Sequence, residues 1–171
     1  GDDVKSGKIK IVGESFSDGW KPENAQKNME QILTANDNNV DAVLSENDGM
    51  AGGVVAALSA QGLVIPVGGQ DGDLAAINRV ARGIQTVSVW KDARDLGKAA
   101  GEIASALAKG TSMSDIKGAS TFSGGEKGIA INAILLDPTP LTRDNLSIAI
   151  NGGHITKAQA CEGAIAGVDG C

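Results

Sequence analysis

The stretch Val40–Asp71, VDAVLSENDGMAGGVVAALSAQGLVIPVGGQD, decides the fold of this chain. An apolar run, Val40 to Leu44, ends in the polar group at 45–48, and a helical pattern follows. A second apolar run, Val64 to Gly68, ends in Gln70 and Asp71. The order strand, helix, strand predicts two parallel neighbouring strands joined by a right-handed crossover.

Two polar residues, Asn47 and Asp71, follow the carboxyl ends of these strands. Ligands of open parallel sheets bind in the crevice beyond those ends, so we expect both side chains to face one ligand. Each also has a simpler structural role: Asn47 caps the helix that begins at Asp48, and Asp71 caps the next helix. Asp48 is itself well placed as a helix N-cap.

The rest of the chain continues the alternation of strands and helices, which predicts an α/β fold with a doubly wound parallel sheet. Working outward, the patterns predict a strand at Lys8–Gly13, a helix from Pro22, a helix at Leu74–Ala81, a strand at Gln85–Val89 and a helix at Ala93–Lys109. Beyond a Ser- and Gly-rich stretch, they predict a buried strand at Ile129–Leu136 and a short strand at Leu146–Ile150.

The composition excludes several classes of protein. The chain of 171 residues is 42% hydrophobic, which argues against disorder. Its net charge of -6, without a basic cluster, makes nucleic acid an improbable partner. No apolar run reaches the roughly 18 residues that a membrane span requires.

The two cysteines, Cys161 and Cys171, both lie near the C-terminus. They are predicted to form a disulfide, which would place the protein outside a reducing cytosol; two free thiols in a frayed tail are the alternative. His154 is the only histidine, so a zinc site of the usual composition is improbable and a surface histidine is expected. The sequence predicts no catalytic group of residues, no metal and no cofactor.

Two further residues stand at strand ends. Trp20 follows the first predicted strand, where its ring suits the apolar face of a sugar; the alternative is an anchor that pins the loop to the core. Lys91 follows the Gln85–Val89 strand, where it can donate to sugar oxygens or simply be solvated. Together, Trp20, Asn47, Asp71 and Lys91 describe a rim able to bind a neutral polyol.

Two runs of the chain resemble a known family. IVGESFSDGWKPENAQKNMEQILTANDNNVDAVLSENDGMAGGVVAALSAQG and GGQDGDLAAINRVARGIQTVSVWK are similar to the C-terminal part of the periplasmic sugar-binding proteins of ABC transporters, which have the type I fold. Within that family the resemblance is greatest to the members that bind D-xylose. It covers about residues 1–150, and the DGW-x-PENA segment at 18–25 is its most specific part.

The resemblance implies a function without catalysis. In this family two α/β lobes close on one sugar and deliver it to a membrane permease. It implies that Trp20 stacks on the pyranose and that Asn47, Asp71 and Lys91 hydrogen-bond its hydroxyls. A lysine at 91, where ribose binders carry glutamine, favours D-xylose. It also implies a periplasmic or extracellular location, with or without a lipid anchor.

The resemblance further implies that the chain consists of three segments, which belong to two different lobes. Residues 1–91 belong to the C-terminal sugar-binding lobe, 92–135 to the N-terminal lobe, and 136–171 return to the C-terminal lobe. The rest of the N-terminal lobe would precede Gly1 and is absent. We therefore expect the apolar face of helix 93–109 to dock on a separate chain carrying that lobe, or on a symmetry mate.

Two other classes share the predicted architecture. The effector domain of a LacI-type transcription regulator would need a helix-turn-helix segment and a reducing compartment, and the cysteine pair counts against it. An enzyme of doubly wound fold, such as a sugar kinase or isomerase, is disfavoured because the sequence lacks a phosphate loop, an acid–base pair and a metal cluster.

Overall fold

The computed structural model describes residues 1–171 and shows an α/β chain. In chain order its elements are α1 (Asp2–Lys5), α2 (Pro22–Ala35), β1 (Val43–Leu44), α3 (Asp48–Ala60), β2 (Val67–Asp71), α4 (Leu74–Ala81), β3 (Val87–Trp90), α5 (Ala93–Ala108), β4 (Ser120–Phe122), β5 (Ile131–Ala133), β6 (Thr139–Leu141), α6 (Ser147–Asn151) and α7 (Lys157–Cys161). Short 3₁₀ turns lie at Asp18–Trp20 and Met113–Asp115.

A four-stranded sheet in the order β1-β2-β3-β6 organises the fold. β1 pairs with β2 in parallel, and β2 pairs with β3 in parallel, with Asp71 opposite Trp90. The predicted strand–helix–strand unit is therefore confirmed. β2 begins at Val67 rather than at Val64, and a physical reason is that Pro66 has no N–H to give to the ladder.

The helix α3 packs between the sheet and α2, and two hydrophobic clusters form the core. One cluster joins Met29 and Leu33 of α2 to the buried face of α3 and to Val67. The other comprises Ile77, Val80, Ala81, Trp90, Leu141, Leu146, Ala149, Ile155, Ala160 and Val168. At Gly53 a Cβ atom would lie 2.1 Å from the carbonyl oxygen of Pro22, so glycine allows the start of α2 to approach α3.

Two of the predicted strands, Lys8–Gly13 and Leu146–Ile150, do not form. Lys8–Gly13 forms no strand and its side chains are exposed, because a cleft described below separates this segment from the edge strand β1. The predicted strand Leu146–Ile150 is helix α6 instead. Leu146 and Ala149 are both fully buried, and their three-residue spacing fits a helix.

The chain divides into two units, one comprising Gly1–Trp90 and Pro140–Cys171 and the other Lys91–Thr139. These borders lie close to those predicted at 91/92 and 135/136. The assignment of the segments to two lobes stays a prediction.

The smaller unit has no buried residue. β4 and β5 form an antiparallel pair, and β5 is shorter than the predicted Ile129–Leu136 strand. That strand was expected to be buried and is exposed, with Ile129 at 65%, because no second apolar layer covers it. The apolar residues Leu96 and Leu107 of α5 are also exposed.

Cys161 and Cys171 form a disulfide with an S–S distance of 2.06 Å, as predicted. It joins the end of α7 to the last residue of the chain. None of the helices combines the length and the apolar character needed to cross a bilayer.

Candidate functional site

The carboxyl ends of β1, β2 and β3 meet at one edge of the sheet because these strands are parallel. Asn47 follows β1 after two residues, Asp71 is the last residue of β2, and Lys91 comes directly after β3. The loops at this edge are where a ligand of an open parallel sheet is expected to bind.

Asn47 is the N-cap of α3, and its Oδ1 atom accepts a hydrogen bond of 2.8 Å from the backbone N–H of Met50. The structural alternative for this residue is therefore observed. The expectation that Asp48 caps the helix is wrong, since Asp48 is the first helical residue and is fully buried. The cap occupies only the amide oxygen of Asn47, so its two amide hydrogens remain suited to a ligand.

Asp71 does not cap the next helix; the N-cap of α4 is Asp73, and no side chain makes the capping bond. Asp71 has a backbone φ of 117°, which residues with a side chain rarely adopt. Such a conformation costs on the order of 1–3 kcal/mol and is found preferentially at functional sites. The carboxylate at this strand end therefore occupies a position where glycine would be less strained.

The expectation that Trp20 follows a strand is wrong, because Lys8–Gly13 forms none. Trp20 lies in the 3₁₀ turn before α2, with 61% of its surface exposed and a φ of 59°. A tryptophan that anchored the loop would be buried, and Trp20 belongs to neither hydrophobic cluster. Its turn is held instead by the side-chain amide of Asn24, which donates to the carbonyl of Asp18 at 2.8 Å. The exposed indole is available for stacking.

The start of α2 lies beside the start of α3. A Cβ atom at Gly49 would lie 3.7 Å from Oδ1 of Asn47 and 3.9 Å from Cγ of Pro22. Trp20 precedes Pro22 by two residues, so the packing of α2 on α3 brings the tryptophan turn to the same end of the sheet as Asn47.

Asp48 joins the ends of β1 and β2. Its Oδ2 atom accepts hydrogen bonds from the backbone N–H of Gly72 at 2.9 Å and of Asp73 at 3.0 Å. Asn47 directly precedes Asp48 in the chain, and Asp71 directly precedes Gly72. The buried carboxylate thus holds together the two loops that carry two of the predicted ligand-binding residues.

The same carboxylate reaches β3. Ser88 donates to Oδ2 at 2.5 Å, and the amide of Gln85 donates to Oδ1 at 2.9 Å. Arg79 donates to Oε1 of Gln85 at 2.9 Å and to the backbone carbonyl of Asp48 at 2.7 Å. Sequence reasoning missed this network, because nothing local distinguishes Asp48 from an ordinary residue in the first turn of a helix.

The charges at this edge favour ligands that donate hydrogen bonds. Burial raises the pKa of Asp73, and the carboxylates of Asp48 and Asp71 raise it further, while Arg79 and His154 act in the opposite direction. Burial also lowers the pKa of Arg79. A concentration of carboxylates suits the hydroxyls of a neutral polyol better than a phosphate.

His154 is not the surface residue that we expected. Its ring lies 4.9 Å from the ring of Trp90, centroid to centroid, and Nε2 is 2.7 Å from the carbonyl oxygen of Gly72. A Cβ atom at Gly72 would lie 2.2 Å from Cδ1 of Trp90, which requires glycine there. His154 and Trp90 therefore support the loop that follows Asp71.

Lys91 is exposed and is the first residue of the smaller unit. It follows Trp90, whose register partner in β2 is Asp71. A direct contact between Lys91 and a ligand stays a prediction.

A cleft of about 440 Å³ opens beside the edge strand β1, where Leu44 is 85% exposed. It includes Trp20 but neither Asn47 nor Asp71, and its walls include the apolar residues Met29, Ile32 and Val54. The cleft also includes Ser45 and Glu46, so it reaches the carboxyl end of β1 just before Asn47. The strand ends have the hydrogen-bonding groups that a sugar requires, so we take them as the candidate site.

Two D-xylose-binding periplasmic proteins are among the proteins similar to the chain in sequence. The D-xylose-binding periplasmic protein of Escherichia coli (strain K12) is 46% identical over 145 residues, which cover 84% of this chain and 42% of that protein. The protein of the same name from Haemophilus influenzae is 44% identical over 157 residues, covering 90% and 46%. The chain spans less than half the length of either relative.

Solved structures give the same fold. An ABC transporter solute-binding protein from Clostridium phytofermentans, with bound β-D-glucose, superposes with a TM-score of 0.75 at 26% identity. The match covers 93% of this chain and 52% of that one. A carbohydrate transporter solute-binding protein from Chloroflexus aurantiacus gives a TM-score of 0.76 at 22% identity, covering 92% and 53%.

The family described as "Periplasmic binding protein domain" matches residues 2–112. The match covers more than half of the chain, including α2, α3 and α4 and the strands β1, β2 and β3. The sequence, the parallel sheet and the structural neighbours agree, and the chain belongs to the family of periplasmic binding protein domains of type I fold.

Proposed function

We propose that this chain is the sugar-binding portion of a solute-binding protein of an ABC sugar importer, with D-xylose as its preferred ligand. The observation that carries the proposal is the identity of 46% and 44% to two proteins named for D-xylose binding. Because the matched region is less than half of each relative, the proposal concerns the whole protein of which the chain forms a part.

The strand ends support a monosaccharide as the ligand. Asp71 accepts hydrogen bonds from two sugar hydroxyls, the amide hydrogens of Asn47 donate to others, and the exposed ring of Trp20 stacks on the apolar face of the pyranose. Lys91 enters the proposal on its sequence position alone, as a donor to a ring or hydroxyl oxygen. The protein acts without catalysis or a cofactor, and sugar binding drives a hinge closure that a membrane permease recognises.

The proposal assigns residues 1–91 and 136–171 to the C-terminal lobe and 92–135 to the N-terminal lobe. The absence of any buried residue in 91–139 supports it, because a unit without a core needs an outside surface to cover its apolar side chains. The exposed residues Leu96 and Leu107 of α5 dock on the rest of the N-terminal lobe, on a separate chain or a symmetry mate. The whole protein acts in the periplasm or outside the cell, with or without a lipid anchor.

Calorimetry tests the sugar assignment. D-xylose, ribose, glucose and arabinose are titrated into the full-length product of the gene, and the solutions are assayed afterwards for sugar consumption. We expect heat with D-xylose, weaker heat with ribose and no loss of sugar. The isolated chain of 171 residues should bind more weakly, because half of the clamp is missing. Absence of heat with all four sugars, or turnover of any of them, would exclude the proposed function.

A further inference from the structure

The carboxylate of Asp48 is fully buried, and four groups donate hydrogen bonds to it. Oδ2 accepts from the N–H of Gly72 at 2.9 Å, the N–H of Asp73 at 3.0 Å and the hydroxyl of Ser88 at 2.5 Å, and Oδ1 accepts from the amide of Gln85 at 2.9 Å. Three of these partners are N–H groups, which can only donate, and the hydroxyl of Ser88 is the fourth donor, so the side chain of Asp48 accepts at every contact.

The network beyond Asp48 has a fixed direction. Arg79 only donates, and it donates to Oε1 of Gln85 at 2.9 Å. The Gln85 amide nitrogen therefore points the other way, where it donates to Asp48 at 2.9 Å and to the carbonyl of Val87 at 3.1 Å. An asparagine at position 48 would place an NH₂ group against one of these donors, so the isosteric change breaks the match.

Two backbone positions are adapted to the network. A Cβ atom at Gly69 in β2 would lie 2.2 Å from Oδ1 of Asp48 and 2.7 Å from Nε2 of Gln85, so the sheet leaves space for the carboxylate. Asp71 keeps its φ of 117° only if its surroundings hold it, and the two residues that follow it both donate to Asp48.

We propose that Asp48 is a positioning residue for the sugar site: it contacts no sugar, but it holds the carboxylate of Asp71 in its strained conformation and at a set distance from Asn47. The inference rests on the proposed function, because the affinity that it governs is that for D-xylose. It adds a determinant of affinity below the strand ends, beyond the four residues that are proposed to bind the sugar.

The test is the substitution Asp48→Asn in the full-length product of the gene, measured at a temperature where the variant is fully folded. D-xylose affinity should fall about 10- to 100-fold, by analogy with residues that orient the side chains binding a metal ion. Hydrogen exchange of the Gly72 and Asp73 amides should accelerate in the variant. Leu33→Ala, in the core at the far end of α2, is the matched control: it lowers stability and leaves affinity unchanged.

A second variant separates positioning from mere stability. When Asp48→Asn is combined with Gln85→Glu, the carboxylate introduced at position 85 accepts from the amide NH₂ introduced at position 48 and from Arg79. The pairs between positions 48, 85 and 79 then match again, whereas the carbonyl of Val87 loses its donor and faces a carboxylate oxygen. The double variant should therefore recover part, and not all, of the lost affinity. If Asp48→Asn does not fold, Ser88→Ala removes one donor from the same carboxylate and should give a smaller loss of affinity.

The outcomes distinguish the two proposals. If the wild type binds D-xylose and Asp48→Asn binds it equally well, the positioning role is overturned and the proposed function still stands. The same conclusion follows from Ser88→Ala if Asp48→Asn does not fold. A loss of affinity equal to that of the Leu33→Ala control also overturns it. A wild-type protein that binds none of the four sugars overturns both.

Discussion

Replacing Asp71 by glycine should relieve backbone strain and make the protein a poorer sugar binder. Asp71 has a φ of 117°, and glycine adopts positive φ freely. Relief of this conformation is worth on the order of 1–3 kcal/mol, and the added backbone freedom of glycine in the unfolded chain takes back about 0.5–1 kcal/mol. The backbone should therefore favour folding of Asp71→Gly by about 1 kcal/mol relative to a variant that keeps a side chain at position 71.

The same change removes the carboxylate that is proposed to bind the sugar hydroxyls. A hydrogen bond to a charged group contributes about 1.5–3 kcal/mol. Loss of a single such bond therefore lowers D-xylose affinity at least about tenfold. The effect of the backbone is read from the comparison of Asp71→Gly with Asp71→Asn, because both variants lose the carboxylate.

The assay is urea unfolding together with calorimetry on the wild type, Asp71→Gly and Asp71→Asn. The asparagine variant is the matched control: it loses the charge, including its repulsion of Asp73, but keeps a side chain at the strained position. We expect Asp71→Gly to be more stable than Asp71→Asn and both to bind D-xylose weakly.

Two results would refute this reasoning. If Asp71→Gly is no more stable than Asp71→Asn, the positive φ is not a source of strain. If Asp71→Gly binds D-xylose as tightly as the wild type, the carboxylate is not a ligand for the sugar.

Three further substitutions test other side chains in or beside the candidate site. Trp20→Ala should weaken D-xylose binding by about 1–3 kcal/mol, by analogy with base–aromatic stacking, and should change urea unfolding little because the ring is 61% exposed. Asn47→Ala should lower the free energy of unfolding by about 1 kcal/mol through loss of the helix cap, whereas Asn47→Gly should lower it by only a few tenths; calorimetry should show the same loss of affinity in both. Asp73→Asn should be more stable than the wild type at neutral pH. Because the pKa of Asp73 is raised in the folded state, this residue favours folding below the ordinary aspartate value of 3.8. That contribution is lost as the pH rises through the pKa of the folded state. The stability advantage of Asp73→Asn should therefore vanish in acid.

Each of these predictions has a contradicting result. An unchanged affinity in Trp20→Ala removes the indole from the site. Wild-type affinity in Asn47→Gly limits Asn47 to the helix cap. An advantage of Asp73→Asn that persists in urea unfolding below pH 3.8 would show that charge is not its cause.

The local pattern was sufficient to predict the frame of the site. Apolar periodicity predicted α2, α3 and α4 and the parallel pairing of β1 with β2, because side-chain spacing directly reflects the period of a helix or a strand. It also placed Asn47 and Asp71 at strand ends, since polar residues stop apolar runs. The disulfide between Cys161 and Cys171 followed from the count of cysteines.

Tertiary structure decided the features that depend on contacts between residues far apart in the sequence. Whether Lys8–Gly13 is a strand depends on a neighbour to pair with, and the cleft beside β1 leaves it without one. The buried role of Asp48 depends on partners 24 to 40 residues away in sequence, and that of His154 on Gly72, 82 residues away. Hydrogen bonds act over about 3 Å in space whatever the separation along the chain. Only the folded chain therefore shows which polar residues support the strand ends.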